Sequence, residues 1–131
     1  MSGLRLAMTT LVVPDYDAAR HFYVDALGFH LVEDTEMGEG KRWLVVEAPE
    51  GGRLLLAKSV DAVQSAAIGN QAGGRVAFFL ETDDFTDSHD RFTAAGVTFH
   101  ETPRHEPYGT VAVFSDPFGN RWDLIEPKEA A

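Results

Sequence analysis

LVVPDYDAARHFYVDALGFH (residues 11–30) reads as a strand, a turn, an amphipathic helix and a glycine turn into a second strand. FFLETDDFTDSHDRFTAAGVTF (residues 78–99) carries the same plan. Pro14 ends the first strand, because proline lacks a donor and restricts the residue before it. Asp15 or Asp17 can cap the helix that follows. Ala18, Ala19, Phe22, Tyr23, Ala26 and Leu27 then recur on one face, the stripe a buried helix presents. Gly28 supplies its stop. In the echo, Asp83 or Asp84 caps, Phe85, Phe92 and Ala95 face inward, and Gly96 stops. The two glycines lie 68 positions apart, whereas the preceding strands fit an offset of 67, which puts one extra residue in the second turn. A repeated half-domain predicts a pseudo-symmetric cavity between the halves.

The remaining segments complete the plan. After a short strand at 29–33, the polar stretch EDTEMGEGKR (33–42) reads as a loop. WLVVEA (43–48) and RLLLAK (53–58) face each other across PEGG as a hairpin. Residues 59–74 are small and polar, a linker with room for one short helix. RVAFFLET (75–82), VTFHET (97–102), TVAVFS (110–115) and RWDLIEP (121–127) read as strands, with PRHEPYG (103–109) as a loop and DPFGN (116–120) as a turn. The fold class is α+β: two βαβββ modules, approximately 1–66 and 72–127, forming a cupped mixed sheet in a single domain spanning 1–131. Helices cover one face and the other curves around an interior.

Bulk composition excludes several functions. The 131 residues suffice to bury a core without staples. There is no cysteine, so disulfides, thiolate nucleophiles and cysteine-based metal sites are absent. No apolar run reaches membrane-spanning length. The N-terminal MSGLRLAMTT lacks the long apolar core of a secretory signal, which predicts a cytoplasmic protein with no membrane partner. Twenty-one acids against eleven bases give a formal charge of −10, spread over both halves. That disfavours nucleic acid, whose phosphates need a basic surface, and allows cationic ligands.

Strand alternation assigns faces. Val76, Phe78 and Leu80 form the helix-side row, so Arg75, Ala77, Phe79 and Glu81 face the interior. Trp122 and Leu124 share one face of the last strand; Arg121, Asp123 and Ile125 share the other. Leu11 and Val13 match the helix side, which places Met8, Thr10 and Val12 inside. The hairpin strand 53–58 is too uniformly apolar to choose between Leu54 with Leu56 and Leu55 with Ala57.

DYDAARHFYVDALGF near the start, the AGV echo, and SDPFGNRWDLIEP near the end together resemble the glyoxalase, bleomycin-resistance and extradiol-dioxygenase superfamily, the vicinal oxygen chelate proteins. The resemblance implies two βαβββ modules around a cup. It also implies, for metal-dependent members, a divalent ion held by one ligand from each of four strands. Those positions fall here at Met8, about Leu56, Arg75 and Asp123. Only Asp123 is an ordinary anionic ligand; Met8 is a weak soft donor, Leu56 cannot ligate, and Arg75 brings positive charge. The expectation is therefore no metal and no cofactor. The resemblance also implies a homodimer, which protects sheet edges.

The residues expected to touch a small-molecule ligand are Met8, Trp43, Leu56, Arg75, Phe79, His105, Glu106, Tyr108 and Asp123. Arg75 and Asp123 form either a strap across the cavity floor or a site where Arg75 grips a ligand oxyanion through its planar fork. His105, Glu106 and Tyr108 offer a base, an acid and a phenol in one proline-flanked loop, against the plainer reading of a stiff turn. Trp43 and Phe79 are cavity walls or core. The leading expectation is metal-independent binding of a small organic molecule, similar to bleomycin-resistance proteins. The alternative is a glyoxalase-like lyase or isomerase, or a dioxygenase-related enzyme, with Arg75, His105 and Asp123 as candidate catalytic residues. In that case Arg75 steadies oxyanion charge and His105 moves the proton.

Overall fold

The computed structural model describes residues 2–128; the expected domain limits at 1 and 131 lie outside the described residues. The architecture is α+β, with two mixed sheets of four and five strands. The chain divides into two compact units, Met1–Ala67 and Ile68–Ala131. No helix among the described residues is long and apolar enough to cross a membrane.

The first unit runs β1 (Thr9–Val13), α1 (Tyr16–Arg20), a π-helical continuation (His21–Ala26), β2 (His30–Gly38), β3 (Lys41–Glu47), β4 (Arg53–Lys58) and α2 (Ala62–Ala67). Its sheet order is β1-β4-β3-β2, with β1 parallel to β4 and the other pairs antiparallel. Asp15 is the N-cap, accepting from the Ala18 amide at 2.8 Å. Tyr16, Ala19, Phe22, Tyr23 and Leu27 bury the helical segment against Leu11, Val13, Leu44, Val46, Leu54 and Leu56. Burying these large apolar side chains is the main stabilising term, roughly 1.5–3 kcal/mol each.

The second unit runs β5 (Phe78–Glu81), α3 (Phe85–Ala94), β6 (Thr98–Phe99), β7 (Arg104–Glu106), β8 (Gly109–Ser115) and β9 (Arg121–Pro127). Its order is β5-β9-β8-β6, with β7 also pairing β8. β5 is parallel to β9. Phe92, Phe114, Trp122 and Phe78 make a continuous aromatic core, with Phe78 and Trp122 ring centroids 4.5 Å apart and Phe92 and Phe114 at 5.6 Å. Asp84 caps α3 through the Asp87 amide, and Glu126 on β9 accepts from the Phe85 amide at 2.7 Å. Both satisfy donors that a helix start leaves open.

Three expectations are corrected. The stretch 33–42 is strand rather than loop: β2 continues to Gly38 and pairs with β3 across a tight turn in which Glu39 and Gly40 have φ of 55° and 77°. Nearly all of β2 is exposed on both faces, so it carries no apolar alternation to reveal it. The stretch 103–109 is likewise not a loop, since β7 pairs β8 through Arg104–Val111, His105–Thr110 and Glu106–Gly109. Finally, the N-caps Asp15 and Asp84 lie 69 positions apart while Gly28 and Gly96 lie 68 apart. The extra residue sits in the first helix, where the π turn accommodates it, and not in the second turn.

Candidate functional site

Registered residues on neighbouring strands share a face. In the second unit, Trp122 and Leu124 pair with Phe114 and Ala112 beneath α3. The opposite face carries Asp123, in register with Phe79 on one side and Val113 on the other. Ile125 continues that row with Glu81 and Val111, and Arg104 joins it through Val111. Phe79, on the edge strand β5, is 66% exposed and presents its ring on this face.

Asp123 is the anomaly. The residue is partly exposed, but its Oδ1 is buried with no hydrogen-bond partner, and its carboxylate makes no hydrogen bond or ion pair among the described residues. Leaving such a group unsatisfied is costly. Desolvation pushes its pKa above the ordinary aspartate value; the Arg104 charge pulls the other way, and Glu101 adds to the rise.

Arg104 makes no hydrogen bond or ion pair with Asp123 and donates instead to two glutamates. Its Nε donates to Glu101 Oε1 at 2.9 Å and its Nη1 to Glu106 Oε1 at 3.2 Å. The Glu101 hydrogen bond, then one with Tyr108, and to a lesser degree Glu106 hold the guanidinium above its ordinary range. Glu101 is held in turn. Its Oε2 accepts from the Val113 amide at 2.9 Å, so a side chain replaces the missing backbone partner where β6 breaks before β7. The Arg104 hydrogen bond, the largest cause, keeps the Glu101 carboxyl below the usual range.

The expected Arg75–Asp123 strap is not formed. β5 begins at Phe78, and Arg75 lies in an exposed bend before it, with no ion pair among the described residues. The reason is the position of the repeat: matching the two N-caps makes Ala77, not Arg75, the counterpart of Met8. Ala77 still pairs with β9, its amide donating to the Arg121 carbonyl at 2.9 Å. Leu56 also leaves the expected face. It is fully buried and in register with Leu11 on the helix side. Leu55, paired with Thr10 and Val45, is the first unit's equivalent of Asp123. Trp43 stands on the same face as Val45 and is partly exposed; Met8 precedes β1 and is likewise partly exposed.

The trio from residues 105–108 is divided. His105 alternates with Arg104 and Glu106 along β7, so it points to the opposite face, exposed, with Nδ1 3.3 Å from Thr110 Oγ1. Glu106 joins Arg104 on the Asp123 side. Tyr108 is 54% exposed at the β7–β8 turn. Sequence reasoning missed Glu101 and Arg104. Their signal was present in ETPRHE: a Glu and an Arg three apart around a proline that interrupts a strand.

The donor set does not fit the divalent cation that metal-dependent relatives hold. A thioether, two side chains without donors (Leu55 and Ala77) and one aspartate stand at the matched strand positions. The strongest charge acting on Asp123 is Arg104, itself a cation. No cluster of three or more His, Asp or Glu side chains gathers in a metal-holding arrangement among the described residues.

The family model described as Glyoxalase/Bleomycin resistance protein/Dioxygenase superfamily matches residues 5–124. An uncharacterized protein of Shewanella frigidimarina (strain NCIMB 400) is 51% identical over 119 residues, covering 88% of each chain. Two solved structures are similar over nearly their whole length. UcmS2 has a TM-score of 0.82 at 30% identity, covering 95% of this chain and 99% of its own. TnmS3, an antibiotic binding protein from Streptomyces sp. CB03234, has a TM-score of 0.74 at 29% identity, covering 98% and 99%.

Proposed function

Because the chain belongs to the Glyoxalase/Bleomycin resistance protein/Dioxygenase superfamily, we propose that it binds a small organic molecule, without a metal, on the open face of the second sheet around Asp123. One observation carries the reading: a carboxylate with a buried, unpartnered oxygen sits beside an exposed phenylalanine. The buried oxygen is costly until a donor reaches it, and the exposed ring beside it offers apolar surface to the molecule that brings that donor. The similarity to TnmS3, described as an antibiotic binding protein, agrees with it.

The enzymatic alternative has less support. Its proton carrier, His105, faces away from Asp123, and its oxyanion holder, Arg75, precedes the strand. The homodimer implied by the resemblance remains part of this proposal, and light scattering on the eluting protein tests it: a 14.4 kDa species would remove it.

The binding reading is tested by fragment screening with backbone amide NMR on chelator-treated protein. The expected outcome is a set of hits whose shifts centre on Phe79, Val113 and Asp123. Hits centred elsewhere, or binding that appears only with added divalent metal, would overturn it.

A further inference from the structure

We propose that the ligand group meeting Asp123 is an ammonium or similar organic cation joined to an aromatic or apolar body that lies on Phe79. This rests on the binding reading above and narrows it to a chemical class.

Charge balance decides the sign. Glu81, Glu101, Glu106 and Asp123 lie on or beside this face, against Arg104 and Arg121. Arg104 donates from Nε and Nη1 to two carboxylates, so Glu101 and Glu106 already offset its charge toward a ligand anion. Arg121 sits two residues along β9, in register with Ser115 rather than Phe79. A carboxylate or phosphate ligand would therefore meet uncompensated negative charge at Asp123. An ammonium brings both the opposite charge and the donors that Asp123 lacks.

Geometry supplies the second half. Phe79 and Asp123 are registered partners on adjacent parallel strands. Side chains in such positions lie close enough for one small molecule to span them. The exposed ring offers a stacking platform, and its π-face favours a nearby cation. The net charge of −10 raises the local concentration of cations around the whole chain.

Three probes of matched size separate the possibilities: 2-phenylethylammonium, 3-phenylpropanoate and 2-phenylethanol. Amide shifts at Phe79, Val113 and Asp123 report binding. The ammonium is expected to bind at least tenfold more tightly than the carboxylate and several-fold more tightly than the alcohol. Asp123→Asn should weaken the ammonium about tenfold. Asp90→Asn, the same change at an exposed site on α3, should leave it within twofold, and the amide spectrum of each variant verifies its fold. Carboxylate binding equal to or tighter than ammonium overturns the class while leaving the site in place, and so does preference for the alcohol. An ammonium that binds equally well to Asp123→Asn also overturns it. No probe binding at these residues overturns both the class and the site.

Discussion

Asp123 should cost the protein stability in exchange for its availability. Its pKa is raised by desolvation, so the folded state holds the proton more tightly than the unfolded chain. The sign follows from that direction. Below the unfolded value of 3.8 the carboxyl is protonated in both states and the penalty is absent. As pH rises from there to the raised folded value, the unfolded chain ionises while the folded carboxyl keeps its proton, so the folded state loses stability, and above that value the penalty is complete. Asp123→Asn is therefore expected to stabilise the protein at pH 7 by on the order of 1 kcal/mol, kept small because the group is partly exposed. Paired urea titrations between pH 3 and 8 check this: the gap between variant and wild type should close toward acid. A variant less stable at pH 7 would mean that Asp123 has a stabilising partner. That Asp123 lies on the face opposite Trp122 and Leu124 was legible in strand alternation, whereas its place in a site was what the family resemblance implied. Its neighbours were harder. Arg75 looked like a strand residue because the apolar run 76–80 gives no sign of where the strand begins, and only the caps at Asp15 and Asp84 set the repeat correctly. Leu55 and Leu56 could not be separated by pattern, because both are leucine.

At the scale of elements, the DPFGN turn is a clasp. Asp116 is buried and accepts from the Phe118 and Asn120 amides at 3.0 and 2.9 Å and from Asn120 Nδ2 at 2.7 Å. Asn120 Oδ1 then accepts from the Gly69 amide at 2.9 Å, tying residues that follow α2 to the β8–β9 turn. A Cβ on Gly69 would lie 2.8 Å from the Phe118 carbonyl oxygen, at φ +75°. Gly28 has a similar φ of +80° but open space around it. Both alanine substitutions incur the left-handed backbone cost of roughly 1–2 kcal/mol. Gly69→Ala must also move backbone, so it should lose more stability than Gly28→Ala in the same denaturant titration. Equal losses would show that the clasp yields freely. The DP-x-GN signature was legible as a family mark, and the structure explains it as turn chemistry.

A second element-scale feature is the cluster that joins α1 to the β2–β3 hairpin. Asp34 accepts from Arg20 Nη1 at 2.7 Å and from Arg42 Nε and Nη2 at 3.0 and 2.7 Å. Arg42 also bonds Asp17 at 2.7 Å and lies 5.0 Å over the Tyr16 ring. The Arg42 hydrogen bond is the main cause that keeps the Asp34 carboxyl below its ordinary range. Its contribution is present above the unfolded pKa and is lost as pH falls through the lowered value. Asp34→Asn should cost about 1–3 kcal/mol at pH 7, with the deficit shrinking in strong acid. A constant deficit across pH would assign the loss to packing instead. The sequence hid this element because EDTEMGEGKR is polar apart from Met37 and a pair of glycines. Its strand character rests on ladder pairing and on charges that meet only after folding.

For the whole molecule, the excess of ten negative charges should act oppositely on folding and on binding. The acids are spread over both halves, so their mutual repulsion is mostly long-range and lasts while the screening length is long. That length is about 30 Å at 0.01 M salt and about 10 Å at 0.1 M. The ion pairs hold at 2.6–3.2 Å, far inside either length, so salt relieves repulsion more than it weakens them. Stability should therefore rise as NaCl increases from 0.01 to 0.3 M, read as a higher urea midpoint at constant slope. The ammonium probe experiences the same field as attraction, so its affinity should fall over the same range. An uncharged probe such as 2-phenylethanol lacks that attraction and should change little. If the urea midpoint falls with salt, local pairs outweigh the net charge. If ammonium affinity holds constant, the acidity serves solubility alone and the cation preference must come from Asp123 by itself.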